Sequence, residues 1–368
     1  MPHRLTDSVE STCNVLTCTS DEFLELFNND NLSTVELAED VLRNVIHPNQ
    51  ARLRESDARC RLDDLLAGML QEAPEPSGQR YAAVALHIAH EKGGVEAVVD
   101  IAKAWLDNIF LPMLTIARSP RTEPSSSQTP TSEQSKLRHT VARREQNRCA
   151  ITGAFDRSFV TELLQQSREH EIPQEVPQLR MAAAHIIPFL LNDFSSNTGT
   201  TSEITDAARS WDMLQSWTSL DLGKLVRSDI NSPTNAIFMS ADEHYSFKRF
   251  YFYLDKQAYP NTPNKYRAQM VQTGRTFTNG RDSSDVEFRA KEDSDLGVEA
   301  PDPHLLRIHA AFAKVLNLCG AAEYLDKVER DGASATTLRI DGTTDFGSFL
   351  MARLPVAVYS TSNNQSCN

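Results

Sequence analysis

The chain contains 368 residues, of which 40% are hydrophobic, and it carries a formal net charge of −13 with a pI near 5.3. This composition indicates a soluble globular protein of two or three structural units, since a chain of this length can bury a substantial core. The acidic balance excludes nonspecific attraction of the whole surface to a polyanion, so any nucleic-acid-binding surface must be local.

The six cysteines are scattered and form no Cys-x-x-Cys pair, which argues against a structural zinc knuckle. No window approaches the roughly 20 apolar residues that span a bilayer, and the first twenty residues contain no apolar core of signal-peptide length. We therefore expect free thiols in a reducing compartment and an intracellular location, either nucleus or cytoplasm. The cysteines are Cys13, Cys18, Cys60, Cys149, Cys319 and Cys367.

The first part of the chain is predicted to be a helical domain. A disordered stretch is expected at 1–19, and from 20 to 115 apolar residues recur at helical spacing, as at Leu62, Leu65 and Met69. A helix over Tyr81 to His90 also follows from this periodicity, with a break at the glycine pair that follows it.

A stretch at 116–135, rich in Pro, Ser and Thr, has the composition of a flexible linker and is predicted to separate this domain from a second unit at 136–330. The second unit opens with a basic run that sets five positive charges against the single Glu145. Two interpretations stay open: a solvated helix face, the usual fate of such a run, or a surface that contacts phosphates. The five residues are Lys136, Arg138, Arg143, Arg144 and Arg148.

Three short motifs follow in the second unit. Residues 148–153 read Arg-Cys-Ala-Ile-Thr-Gly, and residues 181–189 read Met-Ala-Ala-Ala-His-Ile-Ile-Pro-Phe, with His185 at the end of an apolar stretch. Residues 235–244 read Asn-Ala-Ile-Phe-Met-Ser-Ala-Asp-Glu-His. Imidazole titrates near neutral pH, so a histidine at a strand end can accept a proton when a partner holds the correct tautomer.

Local signals predict a strand, a strand and a helix in this order. Ile186, Ile187 and Phe189 read as an apolar strand that ends near Pro188. Residues 236–239 read as a second strand, which leads into the helix. The Ser-x-x-Glu pattern at 240–243 is a capping box, which starts a helix at about residue 241 and places His244 in its first full turn. An insertion at 190–233, with a helix at 203–220, parts the two strands.

These motifs resemble those of the HNH endonuclease family, especially a fungal branch that opens with Arg-Cys-x-x-Thr-Gly. The resemblance implies an α+β fold with a ββα-metal core. It assigns His185 as general base, Asn235 as the residue that orients it, and His244 as ligand of a divalent metal such as Mg²⁺, Mn²⁺, Zn²⁺ or Ni²⁺. Nucleic acid, with DNA favoured, is the implied partner. A shared site requires His185 and His244 to approach each other in space.

Two positions depart from the fullest form of this family. Ala184 stands where many members have a metal-binding Asp or His, and Lys248 stands where another ligand is common. A charged lysine cannot bind a metal, although it can contact a phosphate. Asp242, Glu243 or a residue of the insertion are open candidates to complete the ligand set. The alternative function is therefore a catalytically silent HNH-fold module that binds nucleic acid or a protein.

Other histidines give weaker signals. His87 and His90 lie three apart on a helix without a Cys or carboxylate at zinc spacing nearby, which favours ordinary core or surface positions. His304 and His309 lie five apart in an amphipathic helix, which separates them around its axis, so we expect no shared ligand role.

The remaining elements are predicted as three strands and a helix. Strands at 250–254, 266–271 and 285–290 should form a small antiparallel extension. A helix from Pro303 should pack back on the nuclease-like unit. The C-terminal segment 331–368 is expected to end in a disordered tail.

Overall fold

A computed structural model gives the fold, which mixes α-helices with three small sheets and agrees with the predicted α+β class. It describes residues 21–118, 132–172, 174–188, 211–221, 225, 230–289 and 297–334. The predicted disordered stretch at 1–19, the predicted tail at the end of 331–368 and most of the insertion lie outside these ranges.

Six α-helices build the described part of the N-terminal region. Ser33 caps the second of them by accepting a hydrogen bond from Glu36 N. The longest helix is bent at Gly94, whose φ of +61° lies in the left-handed region that favours glycine, as the predicted break requires. The six are α1 (Asp21–Phe27), α2 (Thr34–Val41), α3 (Gln50–Glu55), α4 (Leu62–Gln71), α5 (Pro76–Trp105) and α6 (Leu111–Arg118).

Helices occupy both described ends of the predicted linker. Helix α6 continues to Arg118, and α7 (Ser132–Arg144) has already begun before residue 136. The predicted linker bounds at 116 and 135 thus fall within helices, and the division into domains stays a prediction. Residues 119–131 lie outside the described part of the chain.

Two short parallel strands, β1 (Phe155–Asp156) and β2 (Gln178–Leu179), flank helix α8 (Arg157–Gln165). The next strand, β3 (Met181–His185), pairs antiparallel with β4 (Ala236–Ser240), and His185 lies opposite Ala236. Between them, residues 211–218 form helix α9, which lies within the predicted 203–220 helix and ends two residues earlier.

Helix α10 (Ala241–Lys248) follows β4 directly. A three-stranded antiparallel sheet comes next, in the order β5-β6-β7, so the predicted extension is confirmed with bounds shifted by one to three residues. Its strands are β5 (Phe252–Asp255), β6 (Lys265–Met270) and β7 (Ser283–Glu287).

Two helices close the described chain. Helix α11 (Pro303–Leu318) packs on β5 and α4, as predicted from its amphipathic pattern, and α12 (Ala321–Ser334) follows it. No described helix alone has the length and apolar character to cross a membrane. Residues 303–318 and 321–331 meet that criterion only as a pair, bent by 73°.

One apolar core runs through the N-terminal helices, the β3–β4 hairpin and α11. Its junction is a cluster of three rings, in which Trp217 of α9 lies 5.2 Å from Phe110 and 5.4 Å from Phe312 between ring centroids. Helix α5 approaches this junction closely at Gly78, where a Cβ would lie 1.8 Å from the Trp217 carbonyl oxygen. The hairpin thus shares one apolar core with helices that precede it and with a helix that follows it in the chain.

Candidate functional site

His185 is the last residue of β3, where the sequence placed it. Its Nε2 lies 3.2 Å from Asn231 Oδ1, and Asn231 Nδ2 donates to Glu133 Oε2 at 3.3 Å. Because the amide NH₂ is directed to a carboxylate, its oxygen must accept from His185 Nε2–H. The lone pair of the neutral ring therefore lies on Nδ1. Neither Asn231 nor Glu133 carries a local sequence signal for this role.

Burial lowers the pKa of His185 below its ordinary value of 6.5, and the hydrogen bond with Asn231 offsets part of that shift. Desolvation disfavours the charged imidazolium, so the neutral ring prevails at neutral pH. A neutral ring is the form that a general base requires.

Asn235 is fully buried and fixes the chain that follows His185. Its Oδ1 accepts from Ile187 N at 2.9 Å, and its Nδ2 donates to Ile187 O at 3.1 Å and to Ile230 O at 3.0 Å. The strand predicted over Ile186 and Ile187 was wrong, because the Asn235 side chain takes the Ile187 backbone groups that a strand would have paired. The position of His185 depends on this clamp.

His244 lies in the first turns of α10, and the predicted cap is present, since Ser240 Oγ accepts from Glu243 N at 3.4 Å. The Glu243 carboxylate is turned inward, where Oε1 accepts from Thr278 N at 2.9 Å and from Thr278 Oγ1 at 2.8 Å. Asp242 is exposed. Neither acid reaches the cavity described below, so the suggestion that one of them completes a ligand set is not supported.

One small cavity brings the predicted residues together. His185, His244 and Lys248 all line it, as the shared-site expectation requires. Its volume is about 20 Å³, which is room for about one water molecule. Ala184 is fully buried and contributes no donor atom. The other lining residues are Ala117, Ile186, Pro188, Phe250 and His309.

His309 is the residue that the sequence did not assign to this site. It comes from α11, stacks on Phe247 with ring centroids 3.7 Å apart, and its Nε2 lies 3.1 Å from the Phe247 carbonyl oxygen. A carbonyl only accepts, so Nε2 carries the proton and Nδ1 holds a lone pair. That Nδ1 is buried and has no hydrogen-bond partner among the described residues. Burial lowers the pKa of His309 to about 3.

The donor chemistry near the cavity fits a metal in part. Imidazole nitrogens suit Zn²⁺, Ni²⁺ and related ions, and His244 and His309 can both supply one. Within the described ranges, however, no group of three or more His, Cys, Asp or Glu side chains is placed to hold a metal ion. His304 is not among the residues that line the cavity, and its Nδ1 lies 3.1 Å from Glu75 Oε1.

The Arg-Cys-x-x-Thr-Gly motif forms a tight loop against the hairpin. Cys149 N donates to Ala154 O at 2.8 Å, and Gly153 has a φ of +74°. Buried Cys149 Sγ accepts from Ser240 N at 3.4 Å, the residue that caps α10. The motif thus holds the start of the helix that carries His244.

The basic run divides between core and surface. Arg144 has a fully buried side chain and donates to the carbonyl oxygens of Pro233, Glu299 and Ala236. Its predicted role as a phosphate contact was therefore wrong, since the fold uses its guanidinium to satisfy buried carbonyls.

The other basic residues remain closer to solvent. Arg138 pairs with Asp156 at 2.7 Å and is 37% exposed, while Arg143 is exposed. Arg148 donates to Gly153 O at 3.2 Å and lines a separate groove of about 400 Å³ beside β7. Lys136 is exposed as well, so four of the five basic residues stay available to contact a phosphate.

The geometry defines a histidine site built by a two-stranded hairpin and the helix after it. The neutral imidazole of His185 is held there as the Nε2–H tautomer, with its lone pair on Nδ1. Residues 149–255, under a third of the chain, match the family model of the HNH endonucleases. Comparison with curated proteins and with solved structures gave no match. The family match covers His185, Asn235, His244 and Lys248 but ends before His309.

Proposed function

We propose that this protein is an HNH-type endonuclease that hydrolyses phosphodiester bonds of nucleic acid, with DNA the favoured substrate. The observation that supports it most is that a neutral, tautomer-fixed His185 and His244, both within the matched segment, line one cavity. An intracellular location, in nucleus or cytoplasm, stays a prediction. It is consistent with the free thiols at Cys60, Cys149 and Cys319.

In this proposal His185 accepts a proton from water through Nδ1. The water oxygen then forms a bond to phosphorus, the bond from phosphorus to the leaving oxygen breaks, and the leaving oxygen takes a proton from solvent. Asn235 fixes the backbone beyond His185, while Asn231 and Glu133 hold its ring. A divalent cation bound at His244 would neutralise charge on the phosphate and on the leaving oxygen.

The second candidate is a catalytically silent module that binds nucleic acid or a protein. Lys248 lines the same cavity as the two histidines, and an ammonium group there pairs with a phosphate but opposes a divalent cation. Ala184 supplies no ligand. Among basic surface residues, Arg138, Arg143 and Arg148 would extend this phosphate-binding surface.

A plasmid-nicking assay across Mg²⁺, Mn²⁺, Zn²⁺ and Ni²⁺ separates the two candidates. His185→Ala should lower cleavage by about 10²-fold or more without loss of fold or of DNA affinity. His170→Ala, which alters a 78% exposed histidine of the same segment, is the matched control and should cleave normally.

The pH dependence sharpens the same experiment. Because the pKa of His185 is lowered, the basic ring persists into mild acid, and the acid limb of kcat/KM should lie below pH 6.5. Equal cleavage by wild type and His185→Ala contradicts the assigned base. DNA binding without cleavage under every metal supports the silent module.

A further inference from the structure

The groove of about 400 Å³ beside β7 shares no lining residue with the histidine cavity. The Arg-Cys-x-x-Thr-Gly loop forms one of its walls, and β7 with the residues on either side of it forms the other. Its volume lies in the range of about 300–1,000 Å³ that is usual for ligand sites. Because the family match ends at residue 255, the β7 wall lies outside the segment that the family model describes.

Three arginine side chains line this groove. Arg148 lies in the loop wall, Arg281 precedes β7 and Arg289 follows it. Arg148 donates to the Gly153 carbonyl at 3.2 Å, and Arg289 donates to the side-chain oxygen of Gln146, and both acceptors are neutral. Within the described ranges, none of the three guanidinium groups pairs with a carboxylate, so their charge is available to a ligand.

Two carboxylates on the β7 wall are each offset by a cation on β6. The register of the two strands sets Asp285 opposite Arg267 and Glu287 opposite Lys265. Opposite charges that face each other across an antiparallel pair attract, and Arg267 Nε lies 3.3 Å from Asp285 Oδ1. A third carboxylate of the lining, Glu145, is nearly buried and already paired. The three arginines therefore give the groove a local excess of positive charge on a chain whose net charge is −13.

The spacing of these charges favours a chain of anions over a single anion. Arg281 and Arg289 lie eight positions apart (289 − 281), and at about 3.3 Å per residue the segment between them spans up to about 26 Å. One strand of duplex DNA presents a phosphate every 3.4 Å of helix axis, so about eight phosphates occupy that length. Each guanidinium group can bind a different phosphate there, through two parallel N–H donors.

The lining also favours contact with the backbone of a nucleic acid over contact with its bases. Phe288 is the aromatic residue among those that line the groove, and its side chain is buried. Proteins that bind single strands use exposed aromatic rings to stack unpaired bases. A duplex keeps its bases stacked inside and presents phosphates, which is what arginines along a groove can bind.

We propose that the groove beside β7 binds the phosphate backbone of a nucleic-acid duplex through Arg148, Arg281 and Arg289, without reading its sequence. Its use in cleavage rests on the proposed nuclease function, but the binding itself does not. The Arg-Cys-x-x-Thr-Gly loop connects the groove with the histidine site, because Cys149 lines the groove and its Sγ accepts from Ser240 N, the cap of α10.

Fluorescence anisotropy of the full chain with a labelled DNA duplex, in EDTA and over a range of salt concentrations, tests the proposal. Combined Arg281→Ala and Arg289→Ala should weaken binding about 10-fold and reduce the slope of log K against log salt by about two. Glu287→Gln removes a negative charge from the same wall and should strengthen binding. Arg43→Ala, which alters an exposed arginine of the helical region, is the control and should bind like wild type.

Three results overturn the proposal. The first is a double variant that binds the duplex with wild-type affinity and salt slope, and the second is a wild type that prefers the single strand of the same sequence. The third is binding of polyglutamate, as a stand-in for an acidic protein, without binding of the duplex. If the double variant loses stability, Glu287→Gln decides, because a fold defect does not strengthen binding, and an unchanged affinity in Glu287→Gln then overturns the proposal.

The nuclease proposal fails separately. Neither arginine lines the histidine cavity, so the double variant should raise KM and leave kcat unchanged. Cleavage that depends on His185, with duplex binding and KM unaffected by the groove variants, overturns the groove and leaves the nuclease intact. Duplex binding that depends on the groove, without cleavage under any metal, does the reverse.

Discussion

The N-terminal helices and the hairpin region are held together in different ways. Helices α1 to α6 pack mainly through apolar and aromatic side chains, as where Phe23, Tyr81 and Trp105 contact one another in series. The half-buried Arg80 of α5 adds hydrogen bonds to four backbone carbonyls of the α1 to α2 segment. Around β3 and β4, buried polar side chains bind the backbone directly, with Asn235 and Arg144 each satisfying several carbonyls. An apolar core tolerates replacement of one apolar side chain by another of equal volume. Loss of one buried polar side chain instead leaves its partners without a hydrogen bond.

This difference bears on the site. A base must be held to within a fraction of an ångström, and directional hydrogen bonds fix position and orientation where apolar contacts fix mainly distance. The helical region contacts the second unit through apolar side chains, as where Phe110 packs on Trp217 of α9. We therefore expect substitutions in the two regions to destabilise the fold for different physical reasons.

The largest effect is expected where packing leaves no space at all. Gly78→Ala places a Cβ against the backbone of Trp217, which cannot give way as a flexible side chain can, and should destabilise the fold by about 3 kcal/mol or more. Gly68→Ala is the control, because its nearest contact is the Val315 side chain at 3.2 Å. Chemical denaturation measures both, and equal stability of the two variants would refute the close approach.

The polar clamp should give the next effect. Asn235→Ala leaves the Ile187 N–H and two carbonyls without partners and should cost about 3 kcal/mol. Asn231→Ala, at a partly exposed position, should change stability by less than about 1 kcal/mol but lower cleavage through loss of the His185 tautomer. Thermal denaturation measures the loss of stability in each variant, and plasmid-nicking rates measure the loss of cleavage. A nicking rate unchanged in Asn231→Ala would remove Asn231 from the site.

A pH-dependent effect is expected at Glu145, beside Arg144. Burial raises the pKa of Glu145 to about 7 against the opposing effect of Arg144. The folded state then binds more protons than the unfolded state between pH 4.5 and 7, so stability should fall as pH rises, by roughly 1–3 kcal/mol. Glu145→Gln should flatten this slope in denaturation curves measured from pH 4.5 to 8. A wild-type curve that is flat or rises with pH would contradict the shift.

The smallest effect concerns the charge of Lys248. If it pairs with a phosphate, Lys248→Ala should weaken DNA binding and reduce the slope of log K against log salt by about one. Lys248→Asp or Lys248→His could instead add a ligand and raise metal affinity. Lys92→Ala in the helical region is the control. If neither DNA binding nor metal binding changes in these variants, Lys248 has neither role.

Sequence alone determined the local parts of this protein. The strand ending at His185, the cap at Ser240, the helix that carries His244 and the amphipathic helix from Pro303 follow from signals within a few residues, because capping and periodicity act over one or two turns. The resemblance to HNH endonucleases rested on those same short stretches.

Tertiary structure decided which side chains share the site. Arg144 and Arg143 are neighbours in one basic run, yet only packing buries the first and exposes the second. His309 reaches the cavity from a helix 65 positions after His244 (309 − 244), and Asn231 of the insertion meets His185 from 46 positions further along the chain. The burial of a side chain and its hydrogen-bond partners depend on residues far apart in the chain. A local sequence pattern therefore does not predict which distant backbone carbonyl a side-chain nitrogen will bind.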